Sequence, residues 1–182
     1  MKEIRFHGRG GQGVVMAAQI LGAAFVSEGK YATSFPLFGV ERRGAPVASF
    51  LRFDDMPIRE KSKIYFPDCL VVFDSSQIGA SDTFNGVKQG STLLVNMSEP
   101  IQEKPHKNFG TIATVNASKI ALEEIGIPAS NTCMLGAFVC VTGWIALDPV
   151  ISVLSDFFSG ERLEKNIASC VRGFRETKTT KW

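Results

Sequence analysis

Near the start of the chain, Gly8-Arg9-Gly10-Gly11-Gln12-Gly13 stands between a strand pattern and a helix pattern. Glycine there turns sharply, and without a Cβ it lets backbone N–H groups approach an anion at the helix N-terminus, where the dipole favours negative charge. Arg9 would add a cation. Gly8, Arg9, Gly10, Gly11, Gln12 and Gly13 are therefore the candidate phosphate-binding residues, in the GxGxxG spacing of a dinucleotide loop. A full dinucleotide site also needs an acid near the end of the second strand. That stretch reads Lys30-Tyr31-Ala32-Thr33-Ser34, which disfavours a freestanding nucleotide-dependent enzyme. The plainer alternative is a tight turn packed against a neighbouring chain.

A second segment, Phe38-Gly39-Val40-Glu41-Arg42-Arg43-Gly44-Ala45-Pro46, places two guanidiniums and a carboxylate between glycines, with Phe35 just upstream. Arginine forks grip carboxylate or phosphate with two parallel bonds. Aromatic residues and arginine are enriched at interface cores. Phe35, Phe38, Glu41, Arg42 and Arg43 are thus expected at an intersubunit contact.

No nucleophile–base pair stands out, and no catalytic residue is assigned. His7 ends a strand beside the glycine loop, where a general base could sit, but a lone histidine is more often packed or hydrogen-bonded. His106 lies in a polar turn and is expected to be exposed. Asp74 ends an apolar strand, where ligand contacts cluster in open sheets; capping Ser75-Ser76 is its plainer role. Cys69, Cys133, Cys140 and Cys170 show no CxxC spacing, so they are expected to be buried reduced thiols and not metal or cluster ligands.

The elements that must position these residues follow from periodicity. Lys2–His7 alternates as a strand, and Gln12–Glu28 repeats apolar residues at helical spacing up to Gly29. Lys30–Pro46 reads as an irregular surface loop. Strands are expected at Val47–Phe53, Cys69–Phe73, Thr92–Asn96 and Thr111–Val115. The unbroken apolar run of Cys69–Phe73 suits a strand covered on both faces of a parallel sheet. Helices are expected over Ala117–Ile125, from Asn131 or Thr132 to about Leu147, from an Asp148 N-cap with Pro149 to Gly160, and from Glu161 to about Thr177. A polar tail, Lys178–Trp182, follows. The expected architecture is α/β: three layers, a mainly parallel sheet with a Rossmann-like start, and a helical C-terminal third, all in one domain spanning 1–182.

Composition bounds the rest. With 182 residues, 45% hydrophobic and 21% charged, the chain has enough apolar material to form a core. A net charge of +2 without a basic stripe argues against nucleic acid. No apolar run reaches membrane-spanning length and no signal sequence opens the chain, so a cytoplasmic location is expected.

Together, Gly8-x-Gly10-Gly11-Gln12-Gly13-Val14-Val15 with Ala17, Ala18 and Leu21, then Phe35-Pro36-x-Phe38-Gly39-x-Glu41-Arg42-Arg43-Gly44-Ala45-Pro46-Val47, Ile58-Arg59, Asn131 and Leu135-Gly136-Ala137, resemble the gamma subunit of 2-oxoacid:ferredoxin oxidoreductases, most closely the pyruvate type. The resemblance runs nearly the whole length. It implies a complex that converts a 2-oxoacid, coenzyme A and oxidised ferredoxin to acyl-CoA, CO2 and reduced ferredoxin. It further implies thiamine diphosphate and magnesium on alpha and beta subunits, and iron–sulfur clusters on beta and delta subunits. This chain would then carry no redox centre and be structural or face coenzyme A. Related domains occur in indolepyruvate enzymes, so an indolepyruvate or branched-chain 2-oxoacid enzyme is the neighbouring alternative.

Overall fold

The computed structural model describes residues 1–37, 44–80 and 82–182. Seven strands form one sheet in the order β2-β3-β1-β4-β5-β6-β7: β1 Lys2–Arg9, β2 Tyr31–Leu37, β3 Pro46–Asp54, β4 Cys69–Val72, β5 Ser91–Asn96, β6 Phe109–Val115 and β7 Lys178–Lys181. The four central strands β1, β4, β5 and β6 are parallel. β3 and β2 on one flank and β7 on the other pair antiparallel. The sheet is therefore parallel at its centre and mixed overall.

Five helices accompany it: α1 Val14–Ser27, α2 Ala117–Ile125, α3 Asn131–Thr142, α4 Leu147–Val153 and α5 Gly160–Glu176. All contribute buried residues to one cluster on one face of the sheet, with Ile4, Phe6, Leu51, Val71 and Leu94. Phe25 stacks on Phe53 there with ring centroids 3.7 Å apart. The opposite face carries Leu70, Val72, Leu93, Val95 and Phe109, covered by the segments holding Ile78, Phe84, Val87 and Ile101. The third layer is thus made of short turns and connecting chain instead of helices. Among the described residues, no helix is long and apolar enough to cross a membrane.

Two expectations about loops are corrected. Lys30–Pro46 contains β2, in which Tyr31 to Leu37 pair with Asp54 to Ala48; Pro36 is tolerated because β2 is an edge strand. The tail also forms a strand: Lys178–Lys181 pairs with Thr114–Thr111 of β6. Helix ends shift as well. α3 stops at Thr142, because Gly143 takes φ 60° and closes it. Ala146, not Asp148, is the N-cap of α4; Asp148 sits in the first turn, where its charge favours the helix dipole. That helix ends at Val153, and a 3-10 turn, Leu154–Asp156, continues the chain.

The helical layer is closed by a reciprocal pair of glycines. A Cβ on Gly136 of α3 would overlap the carbonyl oxygen of Cys170, and one on Gly173 of α5 would overlap that of Cys133. These two helices therefore touch backbone to backbone.

Buried arginines fasten the other face. Arg52 is 1% exposed and Arg5 7%. Arg52 donates to the Ser62 carbonyl at 2.6 Å, the Lys63 carbonyl at 3.3 Å and Glu3 Oε1 at 3.0 Å. Arg5 donates to the carbonyls of Ile64 at 3.4 Å, Thr83 at 2.8 Å and Asn85 at 2.9 Å. A guanidinium offers five fixed N–H donors, enough to satisfy carbonyls of strand-free chain that would otherwise be buried without partners.

Candidate functional site

The carboxyl ends of the parallel strands gather the two loops singled out by sequence. β1 ends at Arg9, and Arg9 pairs in register with Pro46 at the start of β3. Gly10 N–H donates to the Ala45 carbonyl at 2.9 Å, and Gly44 N–H donates to the Gly10 carbonyl at 3.3 Å. The glycine loop and the end of the arginine loop are thus hydrogen-bonded neighbours. Phe38, Glu41, Arg42 and Arg43 lie outside the described residues. Phe35 is half-buried in β2, its ring 5.2 Å from that of Phe50 and the Arg52 guanidinium 6.0 Å from its centroid.

After β1 the chain passes through α1 toward β2; after β4 it runs the other way, toward β5. In open α/β sheets the crevice at such a reversal is the usual ligand position. Here it is pinned by Arg9, whose Nε donates to Asp74 Oδ2 at 2.6 Å and whose other nitrogens donate to Ser76 Oγ at 3.0 Å and the Gly44 carbonyl at 3.2 Å. Arg9 is therefore not the free cation that the sequence suggested. Asp74 also caps the following 3-10 turn, its Oδ1 accepting from Ser76 N–H at 3.0 Å. The Ser76 hydroxyl, the Ser76 N–H and the Arg9 guanidinium hold the Asp74 carboxyl below its ordinary range.

The loop's own donors are partly spent. Besides Gly10, Arg9 N–H donates to Gln12 Oε1 at 2.7 Å, and Gln12 N–H to the Arg9 carbonyl at 3.1 Å. Gly8 is walled in: a Cβ there would lie 2.9 Å from Gln12 Oε1 and 3.0 Å from Phe73 Cβ. Gly11 (φ 96°) is exposed, and Gly13 (φ 76°) is the N-cap of α1. No acid occupies the first turn of α1, so the helix dipole there is not offset locally. Two clefts flank the loop. One, of about 450 Å³, lies over the strand ends and includes Gln12, Asp74, Asn96 and Asn116. The other, of about 430 Å³, runs from Gly11 and Gly13 past Asn131 to Arg162 and Lys165.

His7 sits on β1 beside this loop. Burial, and secondarily the Arg5 charge, lower its pKa to about 4, so its ring is neutral at pH 7. A histidine whose folded pKa lies below its unfolded value near 6.5 takes up protons on unfolding between those two values. Its contribution is therefore complete above about pH 6.5 and is lost as pH falls toward 4. By chemical denaturation, wild type should lose on the order of 3 kcal/mol more than a His7→Gln variant between pH 7 and 4. Equal pH slopes for the two proteins would show that His7 is not the group responsible.

Sequence reasoning overlooked other features here. Arg5 and Arg52 read as ordinary polar positions in alternating strands, and no local signal marked them as buried. His106 is half-buried, its ring near those of Phe84 and Phe109. Of the cysteines, Cys69, Cys133 and Cys170 are buried, but Cys140 is exposed. Burial pushes the Cys133 and Cys170 thiols up to about 12 and the Cys69 thiol higher still.

Residues 3–176 match the pyruvate ferredoxin/flavodoxin oxidoreductase family. The chain belongs to that family. Within this oxidoreductase family it aligns end to end with gamma subunits. It is 48% identical, over 97% of both chains, to the common gamma subunit of pyruvate/ketoisovalerate oxidoreductases from Thermococcus kodakarensis. It is 47% identical to the gamma subunit of NADH-dependent phenylglyoxylate dehydrogenase from Aromatoleum evansii, covering 97% of this chain and 94% of that one. The crystal structure of pyruvate oxidoreductase subunit PORC from Thermotoga maritima superposes with a TM-score of 0.87 at 35% identity, over 99% and 98% of the two chains.

Proposed function

We propose that this chain is the gamma subunit of a 2-oxoacid:ferredoxin oxidoreductase acting on pyruvate, in a cytoplasmic complex with alpha, beta and delta subunits. Its end-to-end similarity to gamma subunits, at 48% identity to the Thermococcus chain, carries this reading. The complex releases CO2 from the oxoacid, passes the acyl group to coenzyme A and reduces ferredoxin.

Thiamine diphosphate with magnesium, on partner chains, supplies the carbanion chemistry of decarboxylation, and partner-held iron–sulfur clusters supply electron transfer. This chain holds none of these groups in the proposed assembly. The absence of CxxC spacing among Cys69, Cys133, Cys140 and Cys170 fits that division. Names among its relatives fit it as well. One gamma chain is common to pyruvate and ketoisovalerate oxidoreductases, and another belongs to an NADH-dependent phenylglyoxylate dehydrogenase. A gamma subunit common to two oxoacid enzymes suits a part that does not select the oxoacid.

Toward coenzyme A, Gly8, Arg9, Gly10, Gly11, Gln12 and Gly13 have distinct parts in this reading. Gly11 and Gly13 present backbone at the start of α1 beside the cleft that holds Arg162 and Lys165, where a phosphate could rest. Gly8, Arg9, Gly10 and Gln12 keep the loop's shape. Phe35, Phe38, Glu41, Arg42 and Arg43 face a neighbouring subunit.

Affinity purification of the tagged chain from its native cell tests the assignment. Companion chains with bound thiamine diphosphate are expected in the eluate. Recovery of the chain alone, from cells that carry pyruvate:ferredoxin activity in another fraction, would reject it.

A further inference from the structure

Beneath the described end of β2, a second small cavity opens on the face of β1 that bears no helix. It has about 170 Å³ of space, and Arg5, His7, Leu37, Phe50, Lys63 and Tyr65 are among its walls. Arg5 and His7 are two residues apart on β1 and so point to the same side; their register partners on β3 are Phe50 and Ala48.

Both carry an unspent nitrogen. Arg5 Nε and His7 Nε2 are buried and have no hydrogen-bond partner among the described residues. Arg5 as a whole is 7% exposed, and its other nitrogens are taken by the carbonyls of Ile64, Thr83 and Asn85. Carbonyls satisfy hydrogen bonds but bring no countercharge. Buried N–H groups are almost always paired in folded proteins, so two unpaired nitrogens bordering one cavity indicate that something belongs there. A neutral imidazole with its proton on Nε2 is a donor. The matching ligand is a negatively charged hydrogen-bond acceptor.

The rim says what kind of molecule brings it. Tyr65 is 63% and Phe66 62% exposed, and Leu37 is 38% exposed. Tyr65 and Phe66 are held up by Gly86 (φ 76°), where a Cβ would collide with the Tyr65 carbonyl oxygen. Lys63 is exposed and lines the cavity, and the exposed chain just before it carries Arg59 and Lys61 with Glu60 the one acid among them. Glu60 is drawn toward Arg52, with 3.9 Å between Oε1 and Nη2, and Asp82 is the other acid on the cavity wall. Neighbouring exposed aromatics around a cationic hole suit a protein surface better than a small solute, since aromatic anchors and charge complementarity together mark interfaces.

We infer that this cavity is a socket for an aspartate or glutamate side chain of a companion subunit, which would accept from Arg5 Nε–H and His7 Nε2–H while Tyr65 and Phe66 pack on the surrounding partner surface. The inference rests on the gamma-subunit reading and adds to it a contact residue set that the glycine and arginine loops do not contain. Arg5 also braces the segments around Ile64 and Thr83, so its removal would confuse folding with docking. The informative changes are at the rim and at His7.

The experiment uses the reconstituted complex. The chain, purified as wild type, Lys63→Glu, Tyr65→Ala with Phe66→Ala, and His7→Leu, is titrated into labelled companion subunits, and its melting temperature is measured separately. The rim variants should melt like wild type yet bind roughly tenfold or more weakly. A photo-crosslinker at position 65 should capture a partner peptide containing Asp or Glu, and exchanging that acid for Ala should weaken binding of wild type while adding little to the defect of His7→Leu. If wild type assembles and the rim variants assemble equally well, the socket is refuted while the subunit assignment stands. Saturable binding of acetate to the free chain, with no effect on assembly, would make the cavity a small-anion site and refute the partner. If wild type joins no companion subunit, both readings fall.

Discussion

Purified alone and supplied with pyruvate, coenzyme A and a viologen acceptor, this chain should give no steady acceptor reduction, and activity should appear only when the companion subunits are added. The reason is chemical. Decarboxylation of a 2-oxoacid needs a stabilised carbanion, and carrying its electrons away needs a redox centre. The described residues offer no grouping of three or more His, Cys, Asp or Glu side chains placed to share a metal ion. The cysteines of the core are held as thiols. His7, on β1 beside the glycine loop, has its pKa lowered to about 4 and is neutral at pH 7. Sustained viologen reduction by the homogeneous chain would overturn the assignment of chemistry to its partners.

The second large effect is expected on stability. Gly173→Val should lower the melting temperature by about 6–12 °C or prevent folding, and Gly136→Ala should act in the same direction. At both positions the new carbon would meet backbone, the Cys133 and Cys170 carbonyl oxygens respectively, which cannot swing aside as a side-chain tip can. Overpacking a core typically costs 1–3 kcal/mol and sometimes more, and here α3 and α5 must move apart as bodies. Better helix propensity returns up to about 1 kcal/mol for alanine. In a protein of this size each kcal/mol moves the melting point by about 2–4 °C. Circular dichroism melts decide the matter. If Gly173→Val melts within a degree of wild type, the two helices are not in backbone contact.

Those glycines show how unevenly the sequence discloses the fold. Alternation, unbroken apolar runs and glycine placement sufficed for β1, α1, β3 and the central parallel strands, because β1 buries one apolar face while β4, β5 and β6 are covered on both. β2 was hidden by Pro36 and by its half-exposed, mixed residues: an edge strand has one ladder and one partly wet face, so its pattern is faint. β7 reads Lys-Thr-Thr-Lys and is exposed throughout; only the unpaired edge of β6 makes it a strand. Gly136 and Gly173 carry no local signal of their role, which exists only where α3 and α5 meet.

At the site, the sequence singled out both loops and could not show that they meet through Gly10, Gly44 and Ala45. It also misjudged Arg9, since the partner that neutralises it lies 65 residues away. Arg5 and Arg52 were illegible for the same reason. A buried cation is defined by carbonyls from distant segments, and nothing beside it in the chain announces them.

The place of β1 in the sheet also bears on how the chain is made. It is made before either of its neighbours, since it lies between β3 and β4, whose residues begin at Pro46 and Cys69. At typical synthesis speeds the second of those partners follows on the order of 3–12 s later. Throughout that interval Ile4 and Phe6 belong to a strand with an open edge, the form of nascent chain most exposed to wrong pairing. Even then the sheet is incomplete, because β6 is closed only by Lys178–Lys181, the last strand of the sheet in chain order. Folding of this sheet is therefore committed late, and a ribosome stalled anywhere before Cys69 holds a chain whose central strand still lacks one neighbour.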